Sequence, residues 1–365
     1  MSRPRLRPAT AVFAALSVAA CATPHAVPAP RDLPPAQPYA YPRPPPERSP
    51  LPEPPRRLEL SALPGWTLED HDASFTAYRA TCGVARDPAL ADLCARARLA
   101  RSVAPGDGRI FFETAFQAEP IAGAGVLTAY FAPIYEARRR PDGEFSAPVR
   151  PKPADLTPGA PYLDRTAIEA QPIDKPLAWM RPEELFFLQV QGSGVLVFED
   201  SRRLKALYAA NNGLPFVGVA NAMRDRGLLA RDNTSGDAIR AWLAAHRGPD
   251  ADQIMRLNPR YAFFTLAPDD GKPPVGAANI TLPPGRAVAV DPGFHLMGEL
   301  LWIDAEAPLL AGAFPTYRRL VTALDTGGAI KGEVRADLYL GQGDAAGAEA
   351  GRVRHTLRLY RLVPR

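Results

Sequence analysis

The pattern of apolar and polar positions predicts short strands over much of the chain. Apolar, β-branched and aromatic residues cluster over 125–140 and 258–266, as they do in strands. Residues 185–200 form two further apolar runs, joined at a Gly-Ser-Gly turn. From residue 286 to the end, short apolar runs alternate with glycine-containing turns, which indicates a compact barrel.

Helical spacing appears in three places. It predicts two helices within 74–100, separated at Asp87 and Pro88, and further helices over 217–227 and 235–246. Ser235 suits the N-cap of the last of these helices, and Gly248 suits its stop. With 365 residues the chain is long enough for two domains. We therefore expect a mainly β protein with N-terminal helices.

The start of the chain has the features of an export signal. A basic stretch precedes an apolar run over 9–20, which is shorter than the roughly 20 residues that a membrane-spanning helix needs. Val18-Ala19-Ala20-Cys21 resembles a bacterial lipobox, so we expect a signal peptide over 1–20 and lipidation of Cys21. Ala22 stands where an aspartate would favour the inner membrane. This predicts the periplasmic side of the outer membrane in a Gram-negative bacterium; a plain secretory signal is the alternative.

Residues 21–57 are predicted to form a proline-rich tether behind the lipidated cysteine. Fourteen of the residues from 22 to 57 are proline, so this segment has too few apolar residues to form a core. A polyproline-type spacer of this length reaches on the order of 100 Å. It would let the folded part work away from the membrane; a proline-rich ligand for a binding module is the alternative.

Charge and cysteine content narrow the classes of function. The formal charge of +4 falls to +1 without Arg3, Arg5 and Arg7 of the predicted signal, and no basic stripe remains, so nucleic acid is not a predicted partner. Cys82 and Cys94 could form a disulfide in the oxidising periplasm, or remain two buried thiols. The histidines are scattered without metal-ligand spacing, so we expect neither a metal nor a cofactor.

Two amides stand out near the Gly-Ser-Gly turn. Gln189 and Gln191 alternate with apolar residues, so we predict that both lie on one face of a strand. Paired amides beside a turn suit hydrogen bonding to a polar, uncharged ligand such as a sugar. Ser193 lies in the turn itself, where a structural role is more common than a nucleophilic one.

Three aspartates, Asp291, Asp325 and Asp337, each follow an apolar run in the C-terminal region. Such a carboxylate can simply accept hydrogen bonds from turn amides. Alternatively, burial raises its pKa, and the group then serves as an acid near neutral pH. The residues alone leave both interpretations open.

A family resemblance favours the second interpretation. "VTALDTGGAIKG" followed by "ADLYLGQGDAAGAEAG" is similar to the closing region of the membrane-bound lytic murein transglycosylase A family, and "GRAVAVDPGFHLMGELLWID" resembles an element of related double-psi barrel proteins. "LTAYFAPIYEARR", "LQVQGSGVLVFED", "NNGLPFVGVA" and "NPRYAFFTL" resemble family segments in the same order. The resemblance spans roughly Val126 to Val363.

The resemblance implies a double-psi β-barrel domain with N-terminal helices, over 58–132 and 271–365. A second, β-barrel-like domain would be inserted over 133–270, with a groove between the two. Members cleave the β-1,4 bond between N-acetylmuramic acid and N-acetylglucosamine in peptidoglycan and leave a 1,6-anhydro sugar. One carboxyl group acts first as acid and then as base. The implied partners are a glycan strand, the outer membrane through the lipid, and cell-wall synthesis or degradation machinery, which no motif identifies.

Matching motif positions transfers roles to residues of this chain. The catalytic acid falls on Asp337. The strand around Tyr130 departs from the family at Ala129, Phe131 and Ala132, where glycine, tyrosine and threonine are usual. Lys331 is either a sugar contact or a solvated turn residue. The predicted substrate-binding residues are Tyr130, Gln189, Gln191, Ser193, Asp291, Asp325 and Lys331.

Other functions remain alternatives at this point. A hydrolytic muramidase would need a second acid, such as Asp325 or Glu333. A non-catalytic peptidoglycan-binding lipoprotein would bind without turnover. A transpeptidase would need a free reactive cysteine.

Overall fold

A computed structural model of the protein describes residues 56–99, 104–230, 233–310 and 313–365. The predicted signal peptide, Cys21 and the tether up to residue 55 lie outside the described residues. In the ranges that are described, no helix is both long enough and apolar enough to cross a membrane.

The described chain contains helices and strands in the following order. The helices are α1 (His71–Thr81), α2 (Pro88–Leu99), α3 (Asp107–Ala115), α4 (Arg165–Ala170), α5 (Pro182–Gln191), α6 (Val219–Asp225), α7 (Gly236–Ala245), α8 (Pro249–Met255) and α9 (Gly343–Ala350). The strands are β1 (Phe116–Pro120), β2 (Gly125–Ala132), β3 (Ile134–Glu136), β4 (Ala147–Val149), β5 (Ala178–Met180), β6 (Gly194–Val197), β7 (Arg203–Asn211), β8 (Ala262–Pro268), β9 (Ala287–Val290), β10 (Leu300–Pro308), β11 (Tyr317–Thr326), β12 (Arg335–Gln342) and β13 (Arg354–Pro364).

Six strands close into a barrel, which confirms the predicted fold class. The order around the barrel is β13, β10, β11, β9, β12 and β2, and β2 pairs again with β13. The pairs β9/β11 and β2/β12 are parallel, and the others are antiparallel. Alternate side chains such as Leu127, Val288 and Leu338 fill the interior. Their neighbours in sequence therefore face outwards.

The N-terminal helices α1, α2 and α3 cover one side of the barrel. Their core includes Trp66 and Phe112, which cluster with Trp302 of the barrel. Asp87 caps the start of α2 by accepting a hydrogen bond from the Ala89 amide at 2.8 Å. A disulfide joins Cys82, in the turn after α1, to Cys94 in α2, with 5.5 Å between the Cα atoms.

The chain between β2 and β9 builds a second set of strands. β3, β6, β7 and β8 form one sheet, and β4 and β5 form a separate ribbon. Bridges between Arg138 and Trp179, and between Pro151 and Phe264, join the ribbon to both edges of the sheet. Six strands thus follow one another around a barrel-like ring.

The prediction that Gln189 and Gln191 lie on a strand is wrong, because this segment forms helix α5. Pro182 occupies the first turn, two glutamates follow it, and Gly192 ends the helix in a left-handed conformation with φ 85°. Each of these is a helix signal. Together they outweigh the four-residue alternation that ends at Gln191.

Other helix boundaries also differ from expectation. Ser235 caps α7 as predicted, accepting a hydrogen bond from the Ala238 amide at 3.2 Å. However, α7 ends at Ala245, and Gly248 instead precedes α8, which the sequence pattern did not predict. Helix α9 was not predicted either; its alanines and glycines lack a clear apolar periodicity.

Candidate active site

A cleft of about 250 Å³ separates the six-stranded barrel from the second set of strands. The barrel contributes residues of β2 and β12 and the loop that follows β11. The opposite wall is formed by the last turn of α5 and by Phe216, Asn258 and Arg260. The groove predicted from the resemblance therefore exists, and it is bordered by both parts of the protein.

Asp337 reaches this cleft because of its position in β12. Its neighbours Ala336 and Leu338 point into the barrel core, so the Asp337 side chain points outwards. Burial raises the pKa of the Asp337 carboxyl group, and the charge of Asp325 adds to this effect. Arg335 and a hydrogen bond from Thr128 act in the opposite direction, but the net shift of the pKa is upward. Such a carboxyl group holds its proton to higher pH than an exposed aspartate.

A short hydrogen-bonded chain supports Asp337. The Thr128 hydroxyl donates to Oδ1 of Asp337. Arg335 Nη2 donates to the same hydroxyl oxygen at 2.9 Å, so the hydroxyl proton is directed towards the carboxyl group. Arg335 Nη1 also donates to the main-chain oxygen of Ala336 at 2.6 Å, which fixes the guanidinium group.

Strand pairing places Asp325, Asp337 and Thr128 in one row across the barrel. Ala289 of β9 pairs with Asp325 of β11 on one side and with Asp337 of β12 on the other. Thr128 of β2 pairs with Asp337, and Arg354 of β13 pairs with Thr128. Directly paired residues project from the same face of a sheet. Two strand spacings of about 4.8 Å put the two aspartate Cα atoms roughly 10 Å apart.

Asp325 is held by its own partners and is not part of the cleft lining. Tyr130 donates a hydrogen bond to its Oδ2 at 2.7 Å, and the amides of Ala277 and Thr326 donate to its Oδ1 at 2.9 Å each. Burial, with Asp325 beside it, raises the pKa of Tyr130 well above its ordinary value. Tyr130 therefore remains a neutral donor and links β2 to β11.

Asp291 braces the loop between β11 and β12. Its oxygens accept hydrogen bonds from the amides of Gly293 at 3.1 Å and Gly332 at 2.9 Å, and these bonds lower its pKa. Gly332 has φ 103°, a conformation that favours glycine. The Lys331 ammonium lies 3.6 Å from Asp291 and is largely exposed. Neither residue lines the cleft with Asp337; Lys331 lines a neighbouring depression.

Gln189 and Gln191 both reach the cleft from the end of α5. Gln191 Oε1 accepts a hydrogen bond from the Phe131 amide at 3.1 Å and so ties α5 to β2. The side-chain amide of Gln189 is buried and interacts with the hydroxyl group of Tyr261. Ser193 lies in the turn after α5 and does not line the cleft.

The sequence did not indicate Thr128, Arg335 or Arg260 as site residues. Arg260 lies in "NPRYAFFTL", a segment noted only for its resemblance. Its guanidinium group packs on Gly328, where an added Cβ atom would come within 3.1 Å of the guanidinium carbon. This contact crosses between the two walls. At Phe131, one of the departures from the family, the ring lies against Gly347 of α9.

Two family models match this chain. The model described as the MltA specific insert domain matches residues 126–265, and the model described as the 3D domain matches residues 286–363. The first covers β2 and the second set of strands, and the second covers most of the barrel. Together they account for both walls of the cleft.

Comparison with individual proteins agrees with the two family models. Membrane-bound lytic murein transglycosylase A of Vibrio cholerae is 34% identical over 274 residues, which is 70% of this chain and 72% of that protein. The crystal structure of a membrane-bound lytic murein transglycosylase from Agrobacterium tumefaciens has a TM-score of 0.71 and 31% identity, covering 84% of this chain and 97% of that one. Escherichia coli MltA with bound chitohexaose has a TM-score of 0.65 and 26% identity, covering 81% and 90%. The chain therefore belongs to the membrane-bound lytic murein transglycosylase A family.

Proposed function

We propose that Asp337 is the single acid and base with which this lytic murein transglycosylase cleaves the β-1,4 bond between N-acetylmuramic acid and N-acetylglucosamine. The reaction forms a 1,6-anhydromuramic end. Family membership makes the chain an enzyme that acts on peptidoglycan. The assignment of Asp337 depends on the geometry of the cleft.

One observation carries this proposal: Asp337 is the only carboxyl group among the described residues that line the cleft. A glycoside hydrolase typically uses two carboxyl groups on either side of the scissile bond. Asp325 is occupied by Tyr130 and two backbone amides, and Glu333 is exposed and outside the cleft lining. An intramolecular reaction needs only one such group, so it fits this site better than hydrolysis.

The proton movements balance with one carboxyl group. Protonated Asp337 gives its proton to the glycosidic oxygen as the bond from that oxygen to muramic C1 breaks. The C6 hydroxyl of the same muramic residue then forms a bond to C1, and ionised Asp337 takes the hydroxyl proton. No water is consumed and Asp337 ends protonated. Because nucleophile and electrophile belong to one sugar, correct orientation replaces the capture of a water molecule.

The surroundings of Asp337 suit both steps. Burial raises its pKa, so the acid form is available at the start. After the first transfer, the Thr128 hydroxyl donates to the new carboxylate, and Arg335 holds that hydroxyl in place. A charge-assisted hydrogen bond of this kind stabilises the ionised form. Asp337 can thereby alternate between two protonation states within one turnover.

We propose that the glycan strand lies along the cleft between a barrel domain, 58–132 with 271–365, and an inserted domain, 133–270. Gln189 and Gln191 line the cleft beside Arg260, and the guanidinium group of Arg260 offers donors to sugar hydroxyl or acetamido oxygens. One relative supports a glycan strand as the occupant of the cleft, since the Escherichia coli protein has been crystallised with chitohexaose. Tyr130 and Asp325 would keep the floor of the cleft in shape.

We propose that the protein acts on the periplasmic side of the outer membrane and that a lipid on Cys21 anchors it there. The curated relatives are named as membrane-bound. A Cys21→Ala variant should move from the membrane to the soluble fraction while keeping its specific activity. Membrane retention of that variant with its signal peptide removed would count against the lipid anchor.

Digestion of peptidoglycan in water enriched in ¹⁸O tests the reaction type. The full-length Cys21→Ala protein should release anhydro-muropeptides without ¹⁸O at muramic C1, because no water enters the product. Reducing-end muropeptides labelled at C1 would instead establish a hydrolase. Binding without any product would favour a non-catalytic lipoprotein.

A further inference from the structure

A second depression adjoins the catalytic cleft on the outer face of the barrel. It has a volume of about 450 Å³ and shares Thr128 and Arg335 with the cleft. Lys331 and Arg354 complete a cationic lining. The described residues of this lining include three cationic side chains and no carboxylate.

The positive charge of this depression is poorly compensated. Arg335 donates its hydrogen bonds to neutral oxygens, those of Val126, Ala336 and the Thr128 hydroxyl, and the carboxyl group that acts on its charge is Asp337 in the adjoining cleft. Arg354 is exposed and forms no ion pair within the described ranges. Lys331 has one carboxylate nearby, Asp291 at 3.6 Å, whose oxygens already accept two backbone hydrogen bonds.

The depression lies at a fixed distance from the proposed acid. Arg354 pairs with Thr128, and Thr128 pairs with Asp337, so the three residues occupy one row on adjacent strands. Two strand spacings of about 4.8 Å separate the Cα atoms of Arg354 and Asp337 by roughly 10 Å. A substituent on a sugar bound beside Asp337 can span that distance, whereas the sugar backbone itself remains in the cleft.

We propose that the depression lined by Lys331, Arg335 and Arg354 binds a carboxylate on the lactyl substituent of the muramic acid residue in the cleft. This inference rests on the proposed function. In a muramic acid with a stem peptide, the lactyl carboxyl is part of an amide, and the negative charge lies on the carboxylates of the peptide. In a stem-free strand the lactyl carboxylate itself is charged. An N-acetylglucosamine oligomer has neither the lactyl carboxylate nor the peptide carboxylates. It would therefore occupy the cleft and leave the depression empty.

Equilibrium binding to matched tetrasaccharides tests the proposal. The probes are a muropeptide tetrasaccharide with stem peptides, the same compound after removal of the stems by an amidase, and chitotetraose. The full-length Cys21→Ala, Asp337→Asn protein is compared with and without Arg354→Gln, and mass spectrometry verifies that each probe remains intact. Arg226→Gln is the matched control, since Arg226 is an exposed arginine that lines neither cavity.

Arg354→Gln should weaken binding of the charged probes about 2- to 5-fold, as expected for one exposed charge pair, and leave chitotetraose binding unchanged. Arg226→Gln should change none of the three affinities. The affinity for charged probes should also fall with ionic strength. Weakening with the stem-bearing probe alone identifies the peptide carboxylates, weakening with the stem-free probe alone identifies the lactyl carboxylate, and weakening with both shows that either carboxylate can occupy the depression.

Equal affinities with and without Arg354→Gln would overturn the proposal, as would an equal loss for chitotetraose. If Asp337→Asn still cleaves the probes, the role of Asp337 fails while this inference is still tested. The same comparison is then made on kcat/KM for the three probes, with the same expected pattern.

Discussion

Thr128 of β2 donates a hydrogen bond to Asp337 of β12, a residue 209 positions later in the chain. The two residues pair directly across parallel strands, so the barrel itself determines this contact. Arg335 donates to the same Thr128 oxygen, which leaves the hydroxyl proton for Asp337. The contact therefore stabilises the ionised state that Asp337 must adopt during the proposed reaction.

Replacing Thr128 with valine keeps the shape of the side chain and removes this donor. We expect kcat to fall about 10- to 100-fold, since a hydrogen bond to a charged group is worth roughly 1.5–3 kcal/mol. Thr128→Ser retains the hydroxyl group and should stay near wild-type activity. Initial rates on isolated glycan strands measure both variants. Equal rates for Thr128→Val and Thr128→Ser would show that the hydroxyl group has no part in catalysis.

Arg335 should affect the pH above which activity is lost. The general acid must begin protonated, so kcat/KM should fall as pH rises through the pKa of Asp337, which burial has raised. The positive charge of Arg335 lowers that pKa, and Arg335→Gln should therefore raise it further. We expect the alkaline limb of the pH profile to move to higher pH in this variant.

Arg335→Lys is the matched control for this shift. It retains the positive charge, so its alkaline limb should remain near that of the wild type even if its rate is lower. A limb that does not move in Arg335→Gln, or moves to lower pH, would contradict the electrostatic role of Arg335.

His295 should make the stability of the fold depend on pH. Burial lowers the pKa of its imidazole, but hydrogen bonds to Glu299 and to the main-chain oxygen of Glu333, both 2.7 Å, outweigh burial and raise the pKa. The stabilisation is therefore complete below about pH 6.5 and is lost as pH rises through the raised pKa. The free energy of unfolding should decline over that range by at most about 1.4 kcal/mol per pH unit.

Denaturant unfolding across this pH range measures the effect. His295→Gln should remove this decline, whereas His246→Gln, which changes an exposed histidine, should keep it. The same slope in wild type and His295→Gln would assign the pH dependence to other groups.

The disulfide between Cys82 and Cys94 should contribute stability without contributing to catalysis. It closes a loop with a sequence separation of 12, and both cysteines are buried among the N-terminal helices. Replacing both with alanine should lower the free energy of unfolding by about 3 kcal/mol. Activity below the melting transition should be unchanged, because neither residue lines the cleft. A loss of activity in the folded variant would revive a role for a thiol.

Local patterns predicted the barrel well, since its strands alternate between buried and outward residues over short segments. They failed at Gln189 and Gln191, where alternation over four residues favoured a strand. The helix signals of α5 lie at Pro182 and Gly192, outside that window. A short apolar run does not distinguish a strand from a buried helix.

The support of the proposed acid could not be predicted from local sequence. The motif around Asp337 predicted the carboxyl group that we propose as the acid, but Thr128 could be recognised as its partner only from the pairing of β2 with β12. Arg335 likewise resembles an ordinary charged residue until the fold directs it at Thr128. Partners that are distant in sequence require the topology of the closed barrel.

The most direct test of the account is the release of anhydro-muropeptides from peptidoglycan sacculi by the full-length Cys21→Ala protein and its Asp337→Asn variant. The asparagine side chain preserves the shape of the aspartate but cannot pass the proton on and take it back. Asp325→Asn serves as the matched substitution. We predict anhydro products from the parent protein, none from Asp337→Asn, and reduced but measurable release from Asp325→Asn. Release that persists in Asp337→Asn and disappears in Asp325→Asn would contradict the assignment of Asp337 and transfer the acid to Asp325.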